Sequence, residues 1–195
     1  LATFARLEDQ QHSSTPRASF TTMLDPIYEA MAAELGLPAT AQHVEGLRLS
    51  IPKWPAFPDS IDAMKRLGKR FRLVATTNAD NWAVACFART LDDPFDSTVT
   101  AEDVENCKPD PQFFGYTRGK ESVNGYHLDD YLHVAQSQYH DIGVACALGY
   151  HVCWIERRQG QDGFGGSPVP ANVAKPHYHF RTLAELADAV DSEAL

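Results

Sequence analysis

No apolar run in the sequence approaches the roughly 20 residues that would cross a bilayer, and the first residues lack the basic and then apolar pattern of a secretory signal. A soluble protein is expected. Basic residues are in the minority: 17 Lys plus Arg stand against 26 Asp plus Glu, and the net charge of −9 is the wrong field for phosphate backbones or an anionic membrane. Neither nucleic acid nor a membrane is an expected partner. Cysteine is scarce. The four cysteines (Cys86, Cys107, Cys146 and Cys153) form no Cys-x-x-Cys pair, and three of them lie in apolar stretches where thiols serve as small hydrophobes. That usage points to reduced thiols and a cytoplasmic setting. An initiating methionine is also lacking. The chain starts at Leu1 inside a helical pattern, so processing or missing upstream sequence is expected.

Against these absences, 44% of the 195 residues are hydrophobic, enough for one globular domain or a core carrying a small insert. At this length roughly 70% of the unfolded surface can be buried, so no disulfide or structural metal is needed as a staple. Residues 1 to 46 show helical spacing through Phe4, Leu7, Phe20, Met23, Leu24, Ile27, Met31 and Leu35. Pro26 is expected to kink or restart the second helix with Asp25 as its N-cap, and Gly36 to end it. A proline-rich connector, Ile51 to Asp59, reads as a stiff hinge. It divides a helical region, residues 1–55, from the remainder, residues 56–195.

From residue 60 helices alternate with short apolar runs, the pattern of βαβ units and a mainly parallel sheet, hence an α/β protein. Strands are expected over 71–77, 97–100, 131–135 and 151–155. Helices are expected over 60–69, from Asp80 as N-cap, over 110–119 and over 139–148, with a last one opened by a Thr182–Glu185 capping box. The glycine-rich stretch 159–168 is followed by Pro168 and Pro170 rather than by a helix, so it reads as a surface loop and not as a phosphate cradle.

Ligands of parallel α/β sheets bind beyond the carboxyl ends of the strands. Three polar clusters fall there: Thr76-Thr77-Asn78, Lys108-Pro109-Asp110-Pro111, and Gln136-Ser137 with His140-Asp141. A lysine can keep a nucleophilic carboxylate ionised and balance charge during attack. Thr77 and Asn78 offer a hydroxyl and an amide to an anionic substrate or oxyanion. Asp141 can position Lys108 or activate a water. His177 and His179 could face one side of a strand, but no third metal ligand lies nearby in sequence. His133 and His140 read as packing or capping groups, and Cys107 beside Lys108 as a weak nucleophile candidate.

The Thr-Asn pair after a strand, the Lys-Pro-Asp-Pro before a helix and the run Val134-Ala-Gln-Ser-Gln-Tyr-His-Asp-Ile142 resemble motifs two, three and four of the haloacid dehalogenase superfamily. The first helices are similar to the cap of its type II group. The resemblance implies a Rossmann-like core over 56–195, a small helical cap over 1–55, and hydrolysis of a small 2-haloacid through a covalent aspartyl ester. It implies Lys108, Asp141 and Thr77 as catalytic groups, and Asn78, Gln136 and Ser137 as substrate-binding groups. The expected ligand is a small anionic molecule, and a homodimer is an expected assembly. No cofactor is expected. Magnesium would enter only in a phosphatase of the superfamily, and Gln136 stands where those enzymes use an aspartate, a far better hard-cation ligand. Phe113 and Phe114 stand where the dehalogenase branch tends to carry a tyrosine.

The superfamily's first motif, an apolar strand ending in the nucleophilic aspartate, has no counterpart between Leu1 and Leu195. Asp25 sits within helical spacing and does not replace it. The first central strand is therefore expected to be missing, and the chain to be a fragment that is inactive alone. A non-catalytic binding protein derived from the same fold is the other alternative.

Overall fold

The computed structural model describes residues 1–194. Three helices come first: α1 (Ala2–Ser14), α2 (Phe20–Leu35) and α3 (Ala41–Ser50). There follow α4 (Ser60–Leu67), β1 (Val74–Thr77), α5 (Asn81–Thr90), β2 (Ser97–Thr100), α6 (Ala101–Val104) and α7 (Pro111–Glu121). The last elements are β3 (Leu132–Ala135), α8 (Gly143–Ala147), β4 (His151–Ile155), β5 (Tyr178–Phe180) and α9 (Leu183–Asp191). The expected α/β alternation is present, and every strand pairing is parallel.

Pro26 neither restarts nor ends its helix. Ser19 is the N-cap, accepting from Thr22 N, and α2 runs unbroken to Gly36, whose φ of 67° closes it in the left-handed region. The lost N–H at Pro26 is offset by burial, because Met23, Leu24 and Ile27 on either side of it are almost wholly removed from solvent. Asp25 lies inside the helix and faces Arg48 of α3 at 3.5 Å.

Three further expectations need correction. The strand of 71–77 begins only at Val74, because Phe71 N still donates to Leu67 O in the turn that ends α4. The helix of 139–148 divides into a wide π-type turn, Gln138–Ile142, and α8. Thr182 caps α9 by accepting from Glu185 N, but Glu185 reaches back to Arg181 N instead of closing the box. A true capping box occurs at Thr100 and Asp103.

The strands form two separate parallel sheets, β1-β2 and β3-β4-β5. Between β1 and β3 lies a cavity of about 330 Å³, lined by Val74 and Thr76 on one side and by Leu132 and Val134 on the other. Helices close both faces, with Leu67 and Leu186 below and Phe113 and Phe114 above. Carbonyls alternate between the two edges of a strand. Leu73 O, just before β1, accepts from Asp96 N on the β2 side, so the Val74 and Thr76 carbonyls face the cavity. Among the described residues the two half-sheets share no strand pairing and are bridged by their helices.

Each face of the layer has its own core, and each core spans both half-sheets. Val99, Phe113, Ile142, Val152 and Trp154 form one cluster, and Ala63, Leu67, Cys153, Ile155 and Leu186 another. A third joins the initial helices to α5 through Leu24, Ile51, Ala83 and Cys86, with Trp54 stacked on Phe87 at 5.9 Å.

Candidate active site

Strand ends and helix starts bring the site together at the carboxyl end of β1 and β3. β1 stops at Thr77, whose Oγ1 accepts from Ala79 N at 3.1 Å, and the turn leads into α5 under the Asp80 cap. Across from it, Lys108 occupies the loop before α7, where Asp110 caps the helix and Pro111 takes its first position. Asn78 joins the two: its Oδ1 accepts from Lys108 N at 2.7 Å, and its Nδ2 donates to Lys108 O at 2.9 Å.

Lys108 is not a solvated surface lysine but 8% exposed. Its Nζ donates to Thr76 O at 2.9 Å and to Asp141 Oδ1 at 2.6 Å, with the Phe113 ring 5.8 Å away. The ammonium is therefore anchored at the rim of the cavity, on a carbonyl that faces it. Asp141 comes from the π-type turn after β3, which Ser137 caps by accepting from His140 N. Gly143 follows that turn because a Cβ there would lie 3.3 Å from Gln138 O.

Burial alone would raise the Asp141 carboxyl, but the Lys108 ammonium and the hydrogen bond from His133 outweigh it and hold it well below the ordinary carboxylate range. It is a buried anion at neutral pH. Burial pushes the neighbouring His140 imidazole down to about 4, so that ring is neutral and its contact with Ser137 Oγ at 3.2 Å is uncharged. Burial raises the Cys107 thiol, with Glu8 adding to the effect. That opposes a thiolate nucleophile.

The remaining polar residues divide. Gln136 lies at the end of β3, where its Nε2 donates to Phe164 O of the glycine-rich loop and its backbone carbonyl accepts from Trp154 Nε1. Ser137 belongs to the turn that carries Asp141. His177 and His179 are elsewhere: His177 Nδ1 accepts from Val152 N, and His179 faces Glu156 at 2.7 Å. Among the described residues no group of three His, Cys, Asp or Glu could hold a metal.

No family model matches the chain. Two curated (S)-2-haloacid dehalogenases, of Pseudomonas putida and Pseudomonas fluorescens, are each 29% identical to it over 115 residues, 59% of this chain. The match spans only 41% of each relative's length. Among solved structures, an L-2-haloacid dehalogenase from Xanthobacter autotrophicus with chloropropionic acid covalently bound superposes with a TM-score of 0.79. It is 16% identical, with 97% of this chain and 84% of that one covered. A dehalogenase with an intermediate complex gives 0.78 at 18% identity over 94% and 80%. The fold is that of the haloacid dehalogenases.

Within this haloacid dehalogenase fold, Lys108 and Asp141 are in direct contact, and Asn78 reaches them through the Lys108 backbone. Thr77, Gln136 and Ser137 stand at the same strand ends. Sequence reasoning missed two participants. One is the Thr76 carbonyl, which any residue type could supply. The other is His133, whose Nε2 lies 3.1 Å from Asp141 Oδ1; its signal was a polar ring inside an otherwise apolar strand.

Proposed function

We propose that the chain carries the lysine and aspartate half of a hydrolase that acts on a small 2-haloacid through a covalent ester. The observation behind this reading is the buried Lys108–Asp141 pair set at the carboxyl rim of the cavity between β1 and β3. A carboxylate delivered there would meet an ammonium already fixed by Thr76 O and Asp141. Such a carboxylate would arrive on an extended segment lying between the two half-sheets, whose facing carbonyls and apolar walls suit a parallel strand. Among the described residues only Asp141 pairs with Lys108, so the attacking group is assigned to a segment other than these residues, and residues 1–195 alone are expected to be inactive.

In the first step a carboxylate oxygen attacks C2 of the substrate, and the carbon–halogen bond breaks with its electron pair leaving on the halide. Lys108 keeps the attacker ionised until then. In the second step water adds to the ester carbonyl, giving the 2-hydroxyacid, the restored carboxylate and one proton. Asp141, in contact with Lys108, is assigned as the base for that water. The Thr77 and Ser137 hydroxyls and the Gln136 amide are assigned to the anionic substrate and the oxyanion. Asn78 spends both ends of its amide on Lys108, so its contribution runs through that residue.

A magnesium-dependent phosphatase fits these residues poorly, because Gln136 offers a neutral amide and Asp141 is already committed to Lys108. The substrate is then a small anion handled without a cofactor. The excess of acidic residues disfavours nucleic acid, and no helix among the described residues is long and apolar enough to cross a membrane. Residues 1–55 are assigned as a cap over the core of 56–195, in a cytoplasmic protein able to form a homodimer. Mass spectrometry of the full-length protein, with the segment that supplies the attacking carboxylate, quenched during turnover of a 2-haloacid tests the reaction: a carboxyalkyl ester on a carboxylate, absent in Lys108→Ala, is expected. Turnover with no adduct, or no halide release at all, rejects it.

A further inference from the structure

His133 stands on β3 with its ring against Phe114 at 5.2 Å and Tyr150 at 6.1 Å, and its side chain is 12% exposed. Its Nε2 approaches Asp141 Oδ1 at 3.1 Å, the same oxygen that receives the Lys108 ammonium at 2.6 Å. Asp141 Oδ2 makes no hydrogen bond among the described residues. The two oxygens of one buried carboxylate are therefore used unequally.

We propose that His133 is a positioning residue: its Nε2–H donates to Asp141 Oδ1 and so keeps Oδ2 free for the water that opens the ester, an inference that rests on the hydrolase reading above. A lysine ammonium is a compact donor with three rotatable protons. Held by Lys108 alone, the Asp141 carboxylate could turn about its Cβ–Cγ bond and present either oxygen at almost equal cost. A second donor, fixed on a strand and approaching from another direction, removes that freedom, because turning the carboxylate would break both bonds together. The donor must be Nε2, since an ionised carboxylate only accepts. Packing alone does not require a histidine here. The contacts with Phe114 and Tyr150 would serve a phenylalanine equally well, and only an imidazole adds a proton directed at Asp141.

Two substitutions in the intact protein separate the roles. His133→Phe keeps an aromatic ring and loses the donor, whereas His133→Gln loses the ring and keeps an amide N–H of similar reach. Misdirecting a reacting group by about an ångström costs on the order of 100-fold in rate. His133→Phe is therefore expected to lower kcat by about that factor while KM changes little, with the ester accumulating in quenched samples because its hydrolysis is the impaired step. His133→Gln should recover most of kcat. Equal losses in both variants, tracking a fall in Tm, would assign His133 to packing and overturn the proposal.

A readout independent of turnover is the 15N spectrum of histidine-labelled protein. The His133 proton is expected on Nε2, with a resonance displaced by Asp141→Asn. Finding Nε2 unprotonated, or unmoved by that substitution, also overturns the proposal. Should the unsubstituted full-length protein, with the segment that supplies the attacking carboxylate, release no halide, the hydrolase reading fails, and the nitrogen spectrum still decides whether His133 holds Asp141.

Discussion

Asn78 holds Lys108 by its main chain, accepting from the N–H at 2.7 Å and donating to the C=O at 2.9 Å across 30 residues of sequence. One amide thus satisfies both polar groups of a loop residue whose ammonium must reach into the protein. Asn78→Ala would leave these groups unpaired beside a buried side chain, at a cost of about 2 kcal/mol. Asn78→Asp keeps the acceptor for Lys108 N but turns a carboxylate oxygen toward Lys108 O. Urea unfolding is expected to find both variants destabilised, with the carboxylate the worse. A destabilisation below about 0.5 kcal/mol in both, as for ordinary surface substitutions, would show that the loop does not depend on Asn78.

The Lys108–Asp141 pair makes a separate prediction. Removing either partner strands a buried charge, so Lys108→Met or Asp141→Asn should each cost about 3–5 kcal/mol. The double variant Lys108→Met/Asp141→Leu should recover much of that loss, because no lone charge remains. A double variant as unstable as the sum of the singles would contradict the pairing. Asp141 ionises more readily folded than unfolded, so its contribution is complete above the ordinary carboxylate value near 4. It is lost as pH falls below that toward the folded value. The difference between Asp141→Asn and the unsubstituted chain should then be level from pH 6 to 8 and shrink in acid.

How far the sequence reached depends on what each inference needed. Lys108, Asp141 and the Thr77-Asn78 pair could be found because parallel α/β architecture sends strand ends to one edge, and that architecture follows from local periodicity. The role of Asn78 could not, since its partner is a backbone 30 residues away and no local pattern encodes that pairing. His133 was hidden because its partner Asp141 lies eight residues on, brought back by a π-type turn that local periodicity does not reveal. Pro26 misled because propensity is local, whereas the apolar face formed by Met23, Leu24 and Ile27 decides the helix.

Thiol reactivity should follow burial. Cys86 and Cys153 are buried, and burial pushes the Cys153 thiol up to about 12 and raises Cys107 and Cys146 as well. With the thiolate as the reactive species, native protein at pH 7.5 should react slowly with a disulfide reagent. Four thiols should be released at once on denaturation. A single fast thiol in the native state, mapping to Cys107, would reopen the cysteine nucleophile.

Glu8 gives the pH test. It lies half-buried on α1, and burial, with Asp9 adding to it, raises its carboxyl to about 7 from 4.5. Between those values the folded chain holds a proton that the unfolded chain has released, so stability falls as pH rises through this window. The effect has the opposite sign to that of Asp141. Glu8→Gln removes the charge at every pH, so it should match the original protein at pH 4 and exceed it at pH 8 by on the order of 1 kcal/mol. Unfolding measured at both pH values checks this, and a variant less stable at pH 8 than its parent would show that the Glu8 carboxylate has a cationic partner. Because Glu8 also raises the Cys107 thiol next to Lys108, the same substitution should make Cys107 react faster at pH 8, tying α1 to the loop that carries the lysine.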